Sequence, residues 1–189
     1  MKIKPNLLFA VALTIAFLKL SGQNQYSSIP NVVYNVCPQE GCQFGEWTIL
    51  SPLKTYSKEG DTTLVAFRLI SNEKIIALRG NVHVLKPGLA IFPKMAKIHA
   101  VDTIIITQKI DTAYVLADLG EGYVSIWYHN RILIGVDQMI FSSFQDPDIE
   151  WWVLVENMKK EQGWLKIRSA EKRQIYGWNI FLLDSKHEN

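Results

Sequence analysis

Short hydrophobic segments separated by turn residues run through most of the chain after residue 45. Segments such as 63–70 (TLVAFRLI) and 151–157 (WWVLVEN) are rich in β-branched and aromatic residues and partly alternate, as half-buried strands do. Residues 74–80 (KIIALRG) and 81–85 (NVHVL) are predicted as two successive strands. Gly, Pro, Asn and Asp interrupt the pattern roughly every 10 to 15 residues, which favours hairpins and meanders over helix-connected parallel strands. The sequence therefore predicts an all-β protein with minimal helix.

The strand pattern divides into two stretches of similar size. Residues 45–100 and residues 101–184 each hold about six short strands, and the junction is predicted at 93–100. Five or six short strands that bend over one another form a small barrel, which hides the sheet edges. We therefore predict two β domains with these bounds, followed by a tail at 185–189. A short helical turn is predicted at 169–176 (SAEKRQIY).

The first 22 residues have the pattern of a signal peptide. Lys2 and Lys4 precede an uninterrupted apolar run over residues 7–18. This run is shorter than the about 20 apolar residues that span a bilayer as a helix. Small residues follow just before Gln23, as at a cleavage site. We predict a secreted or periplasmic protein with no membrane insertion after signal removal, and the alternative is an anchor that stays attached.

The charge balance changes when the predicted signal peptide is removed. The chain has 20 basic and 18 acidic residues and a net charge of +2. Removing the three lysines of residues 1–22 leaves 17 basic against 18 acidic residues, a net charge of −1. A near-neutral chain gives no electrostatic reason to expect nucleic acid or an anionic membrane as a partner.

The leader that precedes the first predicted domain, residues 23–44, contains both cysteines of the chain. Cys37 and Cys42 are separated by four residues in CPQEGC. Export places them in an oxidising compartment, which predicts a disulfide between them. A zinc site is the alternative, but zinc needs four ligands and the chain has no further cysteine. We expect no metal and no cofactor.

A tryptophan-rich pattern occupies the second half. Residues 151–155 (WWVLV) are followed by a polar turn, then by 163–167 (GWLKI) and by 176–178 (YGW). This succession resembles the end of bacterial SH3-like (SH3b) domains, in which such strands and a short 3-10 turn close a small barrel. Residues 119–128 (LGEGYVSIWY) and 37–47 (CPQEGCQFGEW) are similar to other parts of secreted proteins of this type.

The resemblance is most specific over residues 111–183. It implies one or two small SH3-like β-barrels in tandem. It also implies a binding module for cell-wall peptide or glycan, or for a partner protein, and it implies no catalytic residue.

Aromatic residues supply the candidate ligand-binding positions. Neighbouring side chains on a strand point to opposite faces, so one of Trp151 and Trp152 is expected to point outward or to line a groove. The same alternation applies to Trp127 and Tyr128, and Tyr123 is the fifth candidate. An exposed aromatic ring can stack on a sugar or hold a peptide. The alternative is that the rings are covered by the core and by the other domain.

Patterns for catalysis are weak in this sequence. None of the four histidines lies in a G-x-S-x-G context, and no spacing of the acidic residues indicates a convergent pair. We therefore predict no enzymatic activity. The predicted function is an exported binding module of the cell envelope that recognises cell-wall peptide or glycan, or an envelope protein. The alternatives are a small cell-wall hydrolase and a structural or assembly protein.

Overall fold

The structure, a computed structural model, describes residues 29–179. The predicted signal peptide, the start of the predicted leader and the predicted tail lie outside these residues. A short helix, α1 (Ser169–Lys172), and a 3-10 turn at Gln138–Ile140 accompany the strands. The strands are β1 (Val32–Val33), β2 (Gly45–Ile49), β3 (Leu53–Lys58), β4 (Asp61–Leu69), β5 (Lys74–Lys86), β6 (Gly88–Phe92), β7 (Lys97–Ala100), β8 (Thr103–Ile106), β9 (Asp111–Gly120), β10 (Tyr123–Tyr128), β11 (Arg131–Asp137), β12 (Ser143–Gln145), β13 (Asp148–Glu156), β14 (Gln162–Ile167) and β15 (Ile175–Tyr176).

A large antiparallel sheet joins the two ends of the described chain. Its strands lie in the order β15-β2-β5-β13-β14-β3-β4, and β1 pairs with β5 outside this path. The longest pairing joins β5 to β13, with Trp151 opposite Val82 and Trp152 opposite Asn81. The sheet curls into a half-barrel, so one of its faces is concave.

The chain between β5 and β13 forms a second sheet. We call residues 88–145 the inserted unit. Its strands lie in the order β11-β10-β9-β6-β12. The hairpin β7–β8 lies beside β11, where the Val101 N–H donates to the Ile134 carbonyl at 2.9 Å. Ile98 on this hairpin is fully buried, so the hairpin covers one side of the unit's core.

Each sheet has its own hydrophobic core, and β9 contributes to both. Trp47, Trp151 and Trp178 lie in the core of the large sheet. Val115 of β9 belongs to the core of the inserted unit, whereas the next residue, Leu116, belongs to the core of the large sheet. Consecutive side chains of a strand point to opposite faces, which is why one strand can serve two cores.

The all-β prediction is confirmed, but the sheets divide the chain differently from the predicted halves 45–100 and 101–184. Strands from residues 148–176 pair with strands from residues 45–86, and the inserted unit lies between them in sequence. Local patterns of apolar residues identify strands but not their distant partners, because a strand has the same apolar pattern whichever other strand it pairs with. The division therefore depends on pairings that a local reading does not contain.

Gly80 explains why one strand was predicted as two. Residues 74–86 form the single strand β5, which passes through Gly80 and Asn81 without a turn. A Cβ atom on Gly80 would lie 2.3 Å from Nε1 of Trp151. Glycine is needed here because the indole ring occupies the space of a side chain, and not because the backbone reverses. Among the described residues, no helix has the length and apolar character needed to cross a membrane.

Candidate functional site

The disulfide loop, residues 37–42, is held against Asn179, which follows β15 of the large sheet. Cys37 and Cys42 form the predicted disulfide, with Cα atoms 5.7 Å apart. Asn179 forms a β-bridge with Cys42, and its side-chain amide donates to the Glu40 carbonyl at 2.6 Å. A covalent bond and a backbone contact therefore hold the loop in one place.

The turn between β9 and β10 touches this loop at Gly120. The φ angle of Gly120 is +83°, in the left-handed region that favours glycine. The Gly120 N–H donates to the Asp118 carboxylate at 2.8 Å, which fixes the turn. A Cβ atom on Gly120 would lie 2.4 Å from the backbone N and Cα of Glu40. Glycine thus permits the inserted unit to approach the disulfide loop closely.

A cleft of about 560 Å³ opens between the disulfide loop and the inserted unit. Small-molecule and peptide sites commonly have volumes of roughly 300–1,000 Å³ and are mostly apolar with a few polar groups. We call it the loop cleft. Its side-chain lining combines aliphatic and aromatic residues with a polar rim, and it includes Val101, Leu119, Tyr123, Ile134, Gln39, Glu40, Gln43 and Glu121.

Tyr123 is the predicted ligand-binding residue that the structure places in this cleft. It is the first residue of β10, directly after the Gly120 turn, and it is about half exposed. The ring is therefore partly accessible at the cleft. Whether it contacts a ligand stays a prediction.

The loop cleft continues into exposed aliphatic side chains of the inserted unit. Val101, in the turn between β7 and β8, is 80% exposed and lines the cleft together with Ile134. Leu133 points into the core, so its neighbours Ile132 and Ile134 point outward. Ile98 is also buried, and its outward neighbours on β7 are Lys97 and His99, which lie opposite Ile106 and Ile104. Exposed apolar patches commonly mark interaction sites. We call the following residues the aliphatic surface: Val101, Ile104, Ile106, Ile132 and Ile134.

The expectation that one of Trp151 and Trp152 points outward is wrong, because both are only 1% exposed, although Trp151 borders a second, smaller cleft at the start of β13. Trp151 lies in the core of the large sheet, 5.8 Å from Trp47 between ring centroids. Its indole N–H donates to the Val36 carbonyl at 3.2 Å. Trp152 points to the opposite face, as alternation requires, but that face is also covered.

The cover over Trp152 consists of other side chains of the half-barrel. The rings of Tyr56 and His83 lie 5.9 Å and 5.8 Å from the Trp152 ring, and the Lys166 ammonium lies 5.7 Å from its centroid. Alternation leaves one of two neighbouring side chains exposed only where one face of the sheet is open. Curvature and long neighbouring side chains close the second face here.

Glu150 forms ion pairs with two cations beside this covered face. Its carboxylate accepts hydrogen bonds from Lys166 at 2.7 Å and from Arg168. Burial alone would raise the pKa of Glu150, but the hydrogen bonds and charges of these two residues outweigh burial and lower the pKa. Glu150 therefore stays ionised, and one carboxylate serves two cations.

Of Trp127 and Tyr128, Tyr128 is buried and Trp127 is only partly exposed. Trp127 is half-buried and packs against the core of the large sheet. Tyr128 is 4% exposed and donates its hydroxyl to Oδ2 of Asp111 at 3.0 Å. Burial, the hydrogen bond and the charge of Asp111 raise the pKa of Tyr128 to about 12. This tyrosine is a structural part of the inserted unit.

Two histidine–carboxylate pairs were not predicted from the sequence. His83 lies 2.7 Å from Glu59, and the other oxygen of Glu59 accepts from the Asn81 amide at 2.8 Å. His129 lies 3.0 Å from Asp111 and is largely exposed. His83 packs against the buried ring of Trp152 and His129 stacks on the buried ring of Tyr128, so packing explains the position of each pair. Within residues 29–179, no group of three or more His, Cys, Asp and Glu side chains is arranged to hold a metal ion.

Comparison of the chain with protein-family models, with curated proteins and with solved structures finds no match. Any function must therefore be argued from the sequence and from the geometry of the described residues.

Proposed function

We propose that this protein is an exported, non-enzymatic binding module of the cell envelope, and that it recognises a segment of a partner protein in the loop cleft. The observation that carries the proposal is the cleft of about 560 Å³, whose walls combine Val101, Tyr123 and Ile134 and continue into the aliphatic surface. Export and the envelope location rest on the predicted signal peptide. The SH3-like character of the chain stays part of this proposal.

The chemistry of the walls favours an extended apolar peptide segment. Burying aliphatic side chains stabilises a complex by roughly 25 cal/mol for each Å² removed from water. The polar rim, including Gln39 and Glu121, offers hydrogen-bonding groups at the edge, as in most protein interfaces. The disulfide and the Gly120 contact fix the walls before binding, which lowers the ordering cost of association.

A photo-crosslinking experiment in cells tests this proposal. A photoreactive amino acid replaces Val101 in one variant and Ile110 in a matched variant. Both side chains are highly exposed and aliphatic, but Ile110 precedes β9 and Gly120 ends it, roughly 30 Å away along the strand. We expect a discrete envelope-protein adduct from position 101, absent from position 110 and lost when Tyr123→Ala is added. Equal crosslinking at both positions, or none at 101, would contradict the proposal.

A cell-wall ligand is the second candidate, since the half-exposed Tyr123 ring and the neighbouring carboxylates suit a hydroxylated sugar. Co-sedimentation of residues 23–189 with protein-free cell-wall sacculi distinguishes the two. Pelleting of the wild type but not of a folded Tyr123→Ala variant would favour the wall. A protein that stays in the supernatant would leave the protein partner as the sole candidate of the two.

A further inference from the structure

A second cleft of about 240 Å³ lies at the ends of the central strands β5, β13 and β14 of the large sheet, where β13 begins and α1 follows β14. We call it the basic cleft. Its apolar side includes Leu85, Ile149 and Ile167, and its charged side includes Asp148, Arg168 and Lys172. It shares no lining residue with the loop cleft.

Lys172 is a half-buried cation without an anionic partner. Its ammonium donates to Oε1 of Gln39 at 2.7 Å and lies 5.4 Å from the centroid of the Trp178 ring. Both partners are neutral, and no carboxylate of residues 29–179 lies within ion-pair distance of this ammonium. Burial lowers the pKa of Lys172, partly offset by the charge of Asp118. Buried charges are ordinarily paired, so a half-buried cation that forms no ion pair and lies beside a cleft can accept an anion there.

Arg168 adds a second cation with donors to spare. Its guanidinium contacts Glu150, but Glu150 also accepts from Lys166, so this carboxylate neutralises only one of the two positive charges. A guanidinium has five N–H donors and binds carboxylates through two parallel hydrogen bonds. The side chain of Arg168 is half exposed and lines the cleft. Among the residues that line the cleft, two cations, Arg168 and Lys172, stand against one carboxylate, that of Asp148.

We propose that the basic cleft binds the terminal carboxylate of a peptide, with Arg168 and Lys172 holding the carboxylate. The last side chain of the peptide lies against Leu85 and Ile149. A cleft of this volume accommodates a small terminal residue rather than a folded surface. The proposal goes beyond the proposed function, because it concerns another site and another ligand chemistry.

Titration of the exported form, residues 23–189, with two dipeptides tests the proposal. The probes are acetyl-alanyl-alanine and its C-terminal amide, which lacks the negative charge. Binding is followed by NMR through the indole N–H of Trp178, which donates to the Lys172 carbonyl at 3.0 Å and reports on this residue. We expect the carboxylate to bind at least about tenfold more tightly than the amide, as charge-assisted hydrogen bonds predict.

Substitutions separate the charge from its structural role. Lys172→Met keeps an unbranched side chain against Trp178 but removes the charge, and it should weaken binding about tenfold. Lys74→Met, at an exposed ion pair with Glu46, is the control for general charge effects. If Lys172→Met binds like the wild type, or Lys74→Met weakens binding equally, the proposed role of the ammonium is wrong.

Two further probes show which kind of peptide end the cleft accepts and exclude a general effect of anions. Acetyl-D-alanyl-D-alanine represents a cell-wall type of end, and the L,L dipeptide represents a protein C-terminus. Tighter binding of either one, or equal binding of both, supports the carboxylate site and shows which source it accepts. Acetate is the third probe. Equal affinity for acetate and for the dipeptides, or equal affinity for acid and amide, would overturn the proposal.

Discussion

One methyl group at Gly120 should separate the disulfide loop from the inserted unit. An L-residue at a φ of +83° costs about 1–2 kcal/mol on its own. The added Cβ atom would also lie 2.4 Å from the Glu40 backbone, so the loop must move. Movement strains the hydrogen bond from Asn179 to Glu40, and a lost hydrogen bond costs about 1 kcal/mol more. We expect Gly120→Ala to lower the free energy of unfolding by about 3 kcal/mol.

Gly122→Ala is the matched control for this prediction. Gly122 has a φ of +77°, but no atom lies within 4 Å of an added Cβ there, so only backbone strain is expected. Urea unfolding followed by tryptophan fluorescence measures both variants, and an m value of about 2 kcal/mol/M converts about 3 kcal/mol into a midpoint shift of about 1.5 M. The control should shift by about half of that. Equal shifts for the two variants would refute the close contact between Gly120 and the disulfide loop.

Three other predictions follow from the described contacts. Tyr128 is neutral in the folded state up to a pKa of about 12, so stability should be full below pH 10 and should fall by about 2 to 3 kcal/mol as pH rises from 10 to 12. Alkaline unfolding measures this loss, and Tyr128→Phe should remove it. Replacing Cys37 and Cys42 by serine should cost about 2 kcal/mol at most in urea unfolding, since the closed loop is short, and a larger loss would mean that the bond also holds the loop's packing. Gly80→Ala should displace the Trp151 ring and alter the near-ultraviolet circular dichroism spectrum; an unchanged spectrum would contradict the close approach.

Local chemistry made the strand content and the disulfide predictable. Segments rich in β-branched and aromatic residues, such as those of β4 and β13, predict extended structure without knowledge of the strands they pair with. Cys37 and Cys42 had no alternative cysteine partner, and their short separation suits a bridge. The short helical turn at 169–176 also follows from local residues, and α1 lies within it. Each of these features depends on residues close together in sequence.

Features that depend on distant partners could not be predicted in the same way. The pairing of β5 with β13 joins residues about 70 positions apart, and together with the pairing of β14 with β3 it decides which strands share the large sheet. The burial of Trp152 depends on the curl that brings Tyr56 over it. The loop cleft likewise requires Gly120 to meet Glu40, although its residue Tyr123 was identified from the sequence.

The distribution of apolar residues between the two units bears on which ligand the loop cleft takes. The large sheet buries Trp47, Trp151 and Trp152, whereas the inserted unit exposes Val101 and its isoleucine neighbours beside the cleft. Sugar recognition relies on exposed flat rings, and branched aliphatic side chains provide no face for a sugar to stack on. Branched side chains do bury well against another protein, where shape and apolar area decide the contact. The exposed residues of the cleft therefore favour a protein segment over a glycan, and Val101→Asp should weaken capture of a protein partner while leaving any binding to sacculi unchanged.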